Sequence, residues 1–290
     1  MTITASLVKE LRELTGAGMM ECKKALVETD GDLDAAQEYL RKHGQASAAK
    51  KSGRIAAEGV IEIAISDAAA AIVEVNCETD FVAKDENFVA FAKQAARLVL
   101  EQQPADVAAL LALPADGGTF DDARNALIAK IGENVSIRRF EQTSPTGAIG
   151  SYLHGVKIGV VVDVEGGDEQ LRRDVAMHIA ATNPAYLNAD GVPAEALDKE
   201  RKILADQAAQ EGKPENIVEK MVEGRMRKYL NEITLLGQPF VKDPDVSVGK
   251  LLDKAGASVH GFCRLEVGEG IEKKVENFAE EVQAQVNAQA

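Results

Sequence analysis

The feature that most constrains the fold is a pattern of strands and helices that occurs twice along the chain. The pattern is two strands and a helix, closed later by a further helix and strand. In the first copy the strands are "EGVIEIAI" (58–65) and "AAIVEVNC" (70–77), and the helix is 85–100. In the second copy the strands are "TGAIGSYL" (146–153) and "KIGVVVDVE" (157–165), and the helix is 168–181. The sequence therefore predicts an α+β protein with a duplicated core of two three-stranded antiparallel sheets backed by helices.

The residues before the first copy predict a separate helical module. Apolar residues at helical spacing indicate three short helices within residues 4–44, and Gly44 is placed to end the third. The segment "RKHGQASAAKKSGR" (41–54) has five Lys or Arg residues and no aromatic side chain, which is typical of a solvated linker. We expect a three-helix module and linker over residues 1–55.

Two further helical segments accompany the second copy. A pair of helices at 188–230 interrupts it, and such an arm buries little apolar surface unless it packs on something else. After residue 268 an apolar stripe predicts a C-terminal helix, which could dock on the protein's own core or on a partner. The predicted domains after the N-terminal module are these: 56–140 core N-subdomain, 141–187 and 231–267 core C-subdomain, 188–230 helical arm, and 268–290 C-terminal module.

Composition and motifs give no positive sign of an active site. The 290 residues carry a net charge of −14, which disfavours direct binding of nucleic acid. The three cysteines and four histidines are scattered, without the spacing of a metal or redox site, so no metal or cofactor is expected. No signal peptide or membrane span is evident, which predicts a cytoplasmic protein. These features favour a binding protein over an enzyme.

One aromatic side chain lies in an unusual context, the stretch "VNCETDFVAKDENF" (75–88). Phe81 precedes the helical core residue Phe88 by seven positions, but Lys84 and Asp85 interrupt the apolar stripe between them. Either Thr79 or Asp85 could cap the helix that follows. Phe81 either folds back on the edge of the sheet or is presented as an anchor for a partner, with Asp80 beside it to bind a polar group.

Several motifs in chain order resemble one known family. They are "TGAGMMECKKAL" (15–26), "TDFVAKDENF" (79–88), "AKIGENVSIRR" (129–139), "GSYLHG" (150–155), "KPENIVEKMVEGRM" (213–226), "GQPFV" (237–241) and "GFCRLEVGEGIEKK" (261–274). Together they resemble the bacterial elongation factor Ts family over nearly the whole chain. The resemblance implies a guanine nucleotide exchange factor for the GTPase elongation factor Tu. It also implies that the N-terminal module is ubiquitin-associated-like and that the arm is an antiparallel coiled coil for dimerisation.

The same resemblance implies which residues contact elongation factor Tu. Carried over by motif, they are Lys23, Thr79, Asp80, Phe81, Val82, Ile131, Gly132, His154 and Val241. Lys242 departs from the apolar residue of some members, and its role stays open, as does a homodimer. Two alternatives remain at this point: a nascent-chain or ubiquitin-like adaptor that uses the N-terminal module alone, and an unrecognised acidic enzyme.

Overall fold

A computed structural model describes residues 3–115, 118–211 and 214–272. Its helices are α1 (Ala5–Thr15), α2 (Met19–Glu28), α3 (Leu33–Lys51), α4 (Glu86–Gln102), α5 (Val107–Leu111), α6 (Phe120–Ile131), α7 (Glu169–Thr182), α8 (Ala194–Ala209), α9 (Glu215–Ile233) and α10 (Val248–Lys254). Its strands are β1 (Glu58–Ile65), β2 (Ala70–Cys77), β3 (Pro114–Ala115), β4 (Gly118–Thr119), β5 (Ser136–Thr143), β6 (Ala148–His154), β7 (Ile158–Glu165), β8 (Pro239–Phe240), β9 (Asp243–Ser247) and β10 (Ser258–Glu266). The prediction of an α+β fold is confirmed.

The first three helices pack around a small core of their own. Thr4 caps α1 by accepting a hydrogen bond from the amide of Leu7, and Gly16 ends that helix with a φ of 68°. Leu11, Cys22 and Leu26 are fully buried between the helices. The spacing of apolar residues therefore predicted the first two helices and the start of the third correctly.

The linker prediction for residues 41–54 is wrong in its main part, because α3 runs through Gly44 and ends only at Lys51. Gly44 is buried where α3 crosses α6, and a Cβ there would lie 3.6 Å from the carbonyl oxygen of Asn125. Lys51 donates a hydrogen bond to the carbonyl of Ile128 in α6 (3.2 Å). An alanine-rich segment has high helix propensity, and packing against α6 supplies the contacts that a solvated linker would lack.

The two three-stranded sheets share one strand order and pack on each other. The antiparallel orders are β1-β2-β5 and β6-β7-β10. A cluster that includes Ile61, Ile72, Val161 and Leu265 fills the space between the sheets. The outer faces are covered by helices, chiefly α4 on the first sheet and α7 on the second. The result is a layered arrangement of helix, sheet, sheet and helix.

Close approach of the sheets depends on Gly159 in β7. A Cβ at this position would lie 2.4 Å from Cγ2 of Ile61 and 3.1 Å from Cδ1 of Ile72. We expect Gly159→Ala to lower the free energy of unfolding by about 1–3 kcal/mol, because a tightly packed core cannot absorb the added methyl group. Chemical denaturation measures the change.

Gly224 in α9 provides the matched control for that substitution. A Cβ there meets nothing within 4 Å, so Gly224→Ala should raise stability by about 0.5–1 kcal/mol through helix propensity. If Gly159→Ala proved as harmless as Gly224→Ala, the tight contact between the sheets would be refuted.

The helical arm consists of α8 and α9, which pack on each other through the buried side chains of Leu204, Ala208 and Met226. Most of the apolar stripe predicted for the C-terminal helix lies outside the described residues. In the part that is described, no helix is long and apolar enough to cross a membrane.

Candidate partner-binding site

The ring of Phe81 lies at the surface with 81% of the residue exposed. This exposure exceeds that of every other large apolar side chain in the described residues. The alternative in which Phe81 folds back on the sheet edge is therefore wrong. A large exposed ring in a charged surrounding is the kind of side chain that anchors protein–protein interfaces.

Asp85 explains why the ring does not continue the apolar face of α4. Its carboxylate accepts hydrogen bonds from the amides of Asn87 (2.9 Å) and Phe88 (3.2 Å), so α4 begins after Asp85. A short 3₁₀ helix, Val82–Lys84, precedes this cap and redirects the chain. Phe81 therefore lies on the turn between β2 and α4, outside the helical stripe that contains Phe88.

Asp80 places a negative charge beside the exposed ring. Lys84 donates a hydrogen bond from Nζ to the Asp80 carboxylate (2.8 Å), and this bond lowers the pKa of Asp80. Both side chains are largely exposed, so the ion pair adds little to stability and leaves Asp80 able to meet a partner.

Thr79 and Val82, the neighbours of these two residues in the motif, contact the protein itself. The Thr79 hydroxyl donates to the carboxylate of Glu133 (2.7 Å). Val82 is only 9% exposed and packs in the core of the first sheet. In this conformation Val82 does not offer a surface for a partner, and both residues support the turn on which Asp80 and Phe81 lie.

The turn between β6 and β7, which directly follows His154, lies beside the end of the first sheet at which β2 leads into the Phe81 turn. Val156 in this turn accepts a hydrogen bond from the amide of Ile61 (2.8 Å), and Lys157 forms an ion pair with Glu58. Glu58 is opposite Cys77, the last residue of β2, in the strand register. His154 is exposed, and these contacts of the turn that follows it place it near the end of β2 from which the chain continues to Asp80 and Phe81.

Ile131 and Gly132 end α6 close to the turn that carries Phe81. Gly132 adopts a φ of 88°, a conformation that favours glycine, and donates its amide to the carbonyl of Ile128 (2.9 Å). Gly132 is exposed and Ile131 is half-buried against the first core. The next residue, Glu133, contacts Thr79 directly, so the two predicted segments are neighbours.

Val241 belongs to the second half of the core and is held by a buried histidine. Its side chain is 44% exposed, while its amide donates to Nδ1 of His178 (3.2 Å). Because Nδ1 accepts, Nε2 carries the proton and donates to the side-chain oxygen of Gln238 (3.0 Å). Burial lowers the pKa of His178, which keeps it neutral. Sequence reasoning missed His178, since a scattered histidine gave no signal.

Contacts at the end of α7 place Val241 on the side of the second sheet where His154 lies. Arg264 in β10 donates from Nε to the carbonyl of Ala180 in α7 (3.4 Å) and lies opposite Val160 of β7. Val160 pairs with Tyr152, two residues before His154. The last turns of α7, including His178, therefore approach the His154 end of the sheet.

Lys23 is exposed on α2, where Met19 and Met20 are also exposed. A shallow cleft separates this N-terminal module from the core, and it is lined by Gly16 on one side and by Asn87 and Lys130 on the other. Lys23 is thus on a neighbouring module and does not join the turn that carries Phe81.

Lys242, the departure noted in the sequence, forms an ion pair with Asp174 (2.7 Å).

Among the described residues, no group of three or more His, Cys, Asp or Glu side chains could hold a metal ion. Cys77 lies beneath the turn, and burial raises its thiol pKa to about 12, so it is a poor nucleophile at neutral pH. The distinguishing feature of this surface is an exposed ring on a well-supported turn, which is typical of a site that binds another protein.

Comparison with known proteins agrees with this class and names the family. The model of the family described as Elongation factor TS matches residues 78–269. The chain is 64% identical to elongation factor Ts of Thioalkalivibrio sulfidiphilus over 289 residues, covering 98% of the chain and 99% of the relative. It is 60% identical to elongation factor Ts of Alkalilimnicola ehrlichii over 288 residues (98% and 99%) and 61% identical to that of Methylococcus capsulatus over 292 residues (99% and 100%). The chain belongs to the elongation factor Ts family.

These matches also bear on the alternative functions. The relatives align with nearly the whole chain, and the family match, residues 78–269, covers the arm and the part of the core that follows β2. An adaptor that uses the N-terminal module alone therefore finds no support.

Proposed function

We propose that this chain is the guanine nucleotide exchange factor that binds elongation factor Tu with bound GDP and promotes GDP release during translation elongation. Family membership supports this role, and the exposed Phe81 on the turn between β2 and α4 is the observation that carries the mechanism. We further propose that the protein works in the cytoplasm, needs no cofactor and catalyses no covalent step.

The free energy required shows that Phe81 must act with other contacts. A GTPase that binds GDP at about 1 nM, with an association rate near 10⁶–10⁷ M⁻¹s⁻¹, releases it about once in minutes. Raising release to tens per second needs roughly 10⁴-fold, or about 5.5 kcal/mol. One buried aromatic anchor supplies about 2–4 kcal/mol. Several contacts on separate surfaces must therefore share the work.

The exposed residues of the site support a division of these contacts. We assign Asp80 and Phe81, with Ile131 and Gly132 beside them, to the GTPase domain, where the ring would disturb the Mg²⁺ and phosphate site. Lys23, on the ubiquitin-associated-like module, would bind the same domain. His154 and Val241, near one end of the second sheet, would bind another domain of elongation factor Tu.

The other parts of the predicted architecture are proposals of the same kind. We assign residues 56–140 and the pair 141–187 with 231–267 to the two halves of a duplicated core, which the shared strand order supports. The arm at 188–230 is assigned to a coiled coil that could dimerise the protein. Residues 268–290 are assigned to a C-terminal module.

Exchange by this route is thermodynamically reciprocal. A factor that weakens GDP binding is itself bound more weakly when the nucleotide is present, by the same factor. Incoming nucleotide can therefore expel the protein without any chemical step.

A GDP-release assay tests the proposed function. We expect that adding the chain to elongation factor Tu loaded with fluorescent GDP raises the release rate by about 10⁴-fold at saturation, as the required free energy demands. Stopped-flow fluorescence measures the rate as the concentration of the chain increases. Release that stays at the spontaneous rate at every concentration would refute the function.

A further inference from the structure

We propose that Glu133 is a positioning residue for nucleotide exchange, because its carboxylate holds the turn that presents Phe81. The inference rests on the proposed function and adds a residue that is not among the contacts implied by the family resemblance. Glu133 follows Gly132 in the loop between α6 and β5, so it comes from a different part of the chain than the turn.

The Glu133 carboxylate accepts three hydrogen bonds from two consecutive residues of the turn. Oε2 accepts from the amides of Glu78 (3.1 Å) and Thr79 (3.0 Å), and Oε1 accepts from the Thr79 hydroxyl (2.7 Å). Hydrogen bonds to an ionised carboxylate are shorter and stronger than those between neutral groups. One side chain therefore fixes both the backbone and the side chain just before Asp80.

A second carboxylate makes the same kind of contact in the opposite direction. Glu78 accepts the amide of Asn134 (2.6 Å), and Arg54 lies 3.4 Å from the same Glu78 oxygen. The Asn134 side chain in turn donates to the carbonyl of Arg54 (2.9 Å). We call Glu78 and Glu133, with the amides that they accept, the carboxylate clasp. Each of the two segments contributes an acceptor and at least one donor.

The clasp fixes one side of Phe81, and the core fixes the other. Thr79 is held by Glu133, while Val82 is buried beneath the turn and directs its amide to the Thr79 hydroxyl (3.4 Å). Phe81 lies between these two points with its own ring in solvent, so the backbone determines where the ring is presented. A turn that is ordered before binding avoids the entropy cost of ordering it in the complex.

The clasp also sets the distance between two proposed contact segments. Gly132 and Glu133 are adjacent, so the hydrogen bond that the Thr79 amide donates to Glu133 ties the end of α6 to the turn that carries Asp80 and Phe81. Both segments are assigned to the same domain of elongation factor Tu. Loosening the clasp would therefore misplace Phe81 relative to Ile131 and Gly132 as well as loosen the turn itself.

Substitutions at Glu133 separate this role from simple removal of a charge. Glu133→Ala deletes all three hydrogen bonds, and we expect the GDP-release rate at saturating concentration to fall about tenfold. Glu133→Gln keeps an oxygen that can accept both amides and an NH₂ group that can donate to the Thr79 oxygen, so its release rate should stay within about threefold of the parent protein. Glu101→Ala, exposed in the last turn of α4, is the matched control and should leave the rate unchanged.

A double-substitution cycle with Phe81→Ala supplies the readout that a merely structural role would not move. If Glu133 acts by positioning Phe81, Glu133→Ala should cost little, less than about twofold, once the ring is absent. Hydrogen exchange of the free chain should also show lost protection at the amides of Glu78 and Thr79. An equal loss of release rate in both backgrounds, or an unchanged rate for Glu133→Ala alone, would overturn the inference.

The same set of variants distinguishes failure of this inference from failure of the proposed function. No acceleration of GDP release by the parent protein refutes the function, whereas acceleration that depends on Phe81 and not on Glu133 refutes only the positioning role. Thermal unfolding checks that each variant folds. If Glu133→Ala does not fold, Thr79→Val is tested instead, because it removes only the hydroxyl donor. We expect this variant to lower the GDP-release rate about threefold. An unchanged rate would overturn the inference.

Discussion

Phe81→Ala is expected to lower the maximal rate of GDP release from elongation factor Tu by about 30- to 1000-fold while the protein still folds. This range corresponds to the roughly 2–4 kcal/mol that a single aromatic anchor contributes at an interface. The ring is 81% exposed in the free protein, so removing it leaves the core intact. Stopped-flow release of fluorescent GDP, with thermal unfolding alongside, measures both parts of the prediction.

Ile65→Ala is the matched control for the loss of exposed apolar surface. Ile65 is exposed at the end of β1 opposite to Glu58, and therefore far from the turn that carries Phe81. The Ile65→Ala protein should accelerate GDP release from elongation factor Tu as much as the parent protein does. If the Phe81→Ala protein also accelerated GDP release as much as the parent protein, the ring would be excluded as the anchor.

The second large effect is expected at Glu74, whose carboxylate ties the two sheets together. Glu74 is fully buried in β2 and contacts the guanidinium groups of Arg138 (3.1 Å) and Arg139 (2.7 Å). It also accepts the amide of Gly268, which follows β10 of the other sheet (2.8 Å). Glu74→Ala would remove the acceptor shared by both arginines, Asn76 and this amide, and would leave the arginines only their contacts with Glu266 and Glu269. We expect the free energy of unfolding to fall by about 3–5 kcal/mol, as measured by chemical denaturation.

Acid should weaken the Glu74 contacts in a predictable direction. Burial alone would raise the pKa of Glu74, but the amide of Gly268, the two arginines and Asn76 together bring it below its ordinary value of 4.5. A carboxyl group with a lowered folded-state pKa contributes stability above its unfolded-state pKa and loses it as the pH falls through the folded-state pKa. The stability difference between the parent protein and Glu74→Gln should therefore be constant near neutral pH and shrink below about pH 4.5.

Glu141→Ala provides the control in the same sheet, because Glu141 is exposed on β5. Its effect on stability should stay within about 0.5 kcal/mol. A Glu74→Ala protein as stable as Glu141→Ala would show that the buried ion pairs do not hold the sheets together.

Local patterns predicted the elements of the core well. The bounds of β1 and β2 match the apolar runs at 58–65 and 70–77, and Asp85 proved to be the cap of α4. Such features depend on residues close in sequence. The α3 error has another origin, since the glycine suggested a helix end while the contact with α6, some eighty residues away, stabilises the helix through Gly44.

The stacking of the sheets and the clasp were not predicted from the sequence. All eight residues of β2 are buried, which is typical of a strand covered on both faces, and its largely apolar sequence "AAIVEVNC" was the available signal for a second layer. Glu133 gave no such signal, because its donors lie 54 and 55 residues earlier in the chain. A carboxylate that accepts long-range hydrogen bonds cannot be distinguished by sequence from one on a solvated surface.

The most direct test of the account is the ratio of two affinities, for nucleotide-free elongation factor Tu and for elongation factor Tu with GDP. If GDP associates at an unchanged rate, release that is about 10⁴-fold faster weakens GDP binding by the same factor. Isothermal titration calorimetry of the parent protein should then give a ratio of about 10⁴ in favour of the nucleotide-free form. Phe81→Ala should lose at least thirtyfold of this preference, in keeping with the expected contribution of the anchor. The same ratio for both proteins would contradict the claim that Phe81 couples binding of this chain to release of the nucleotide.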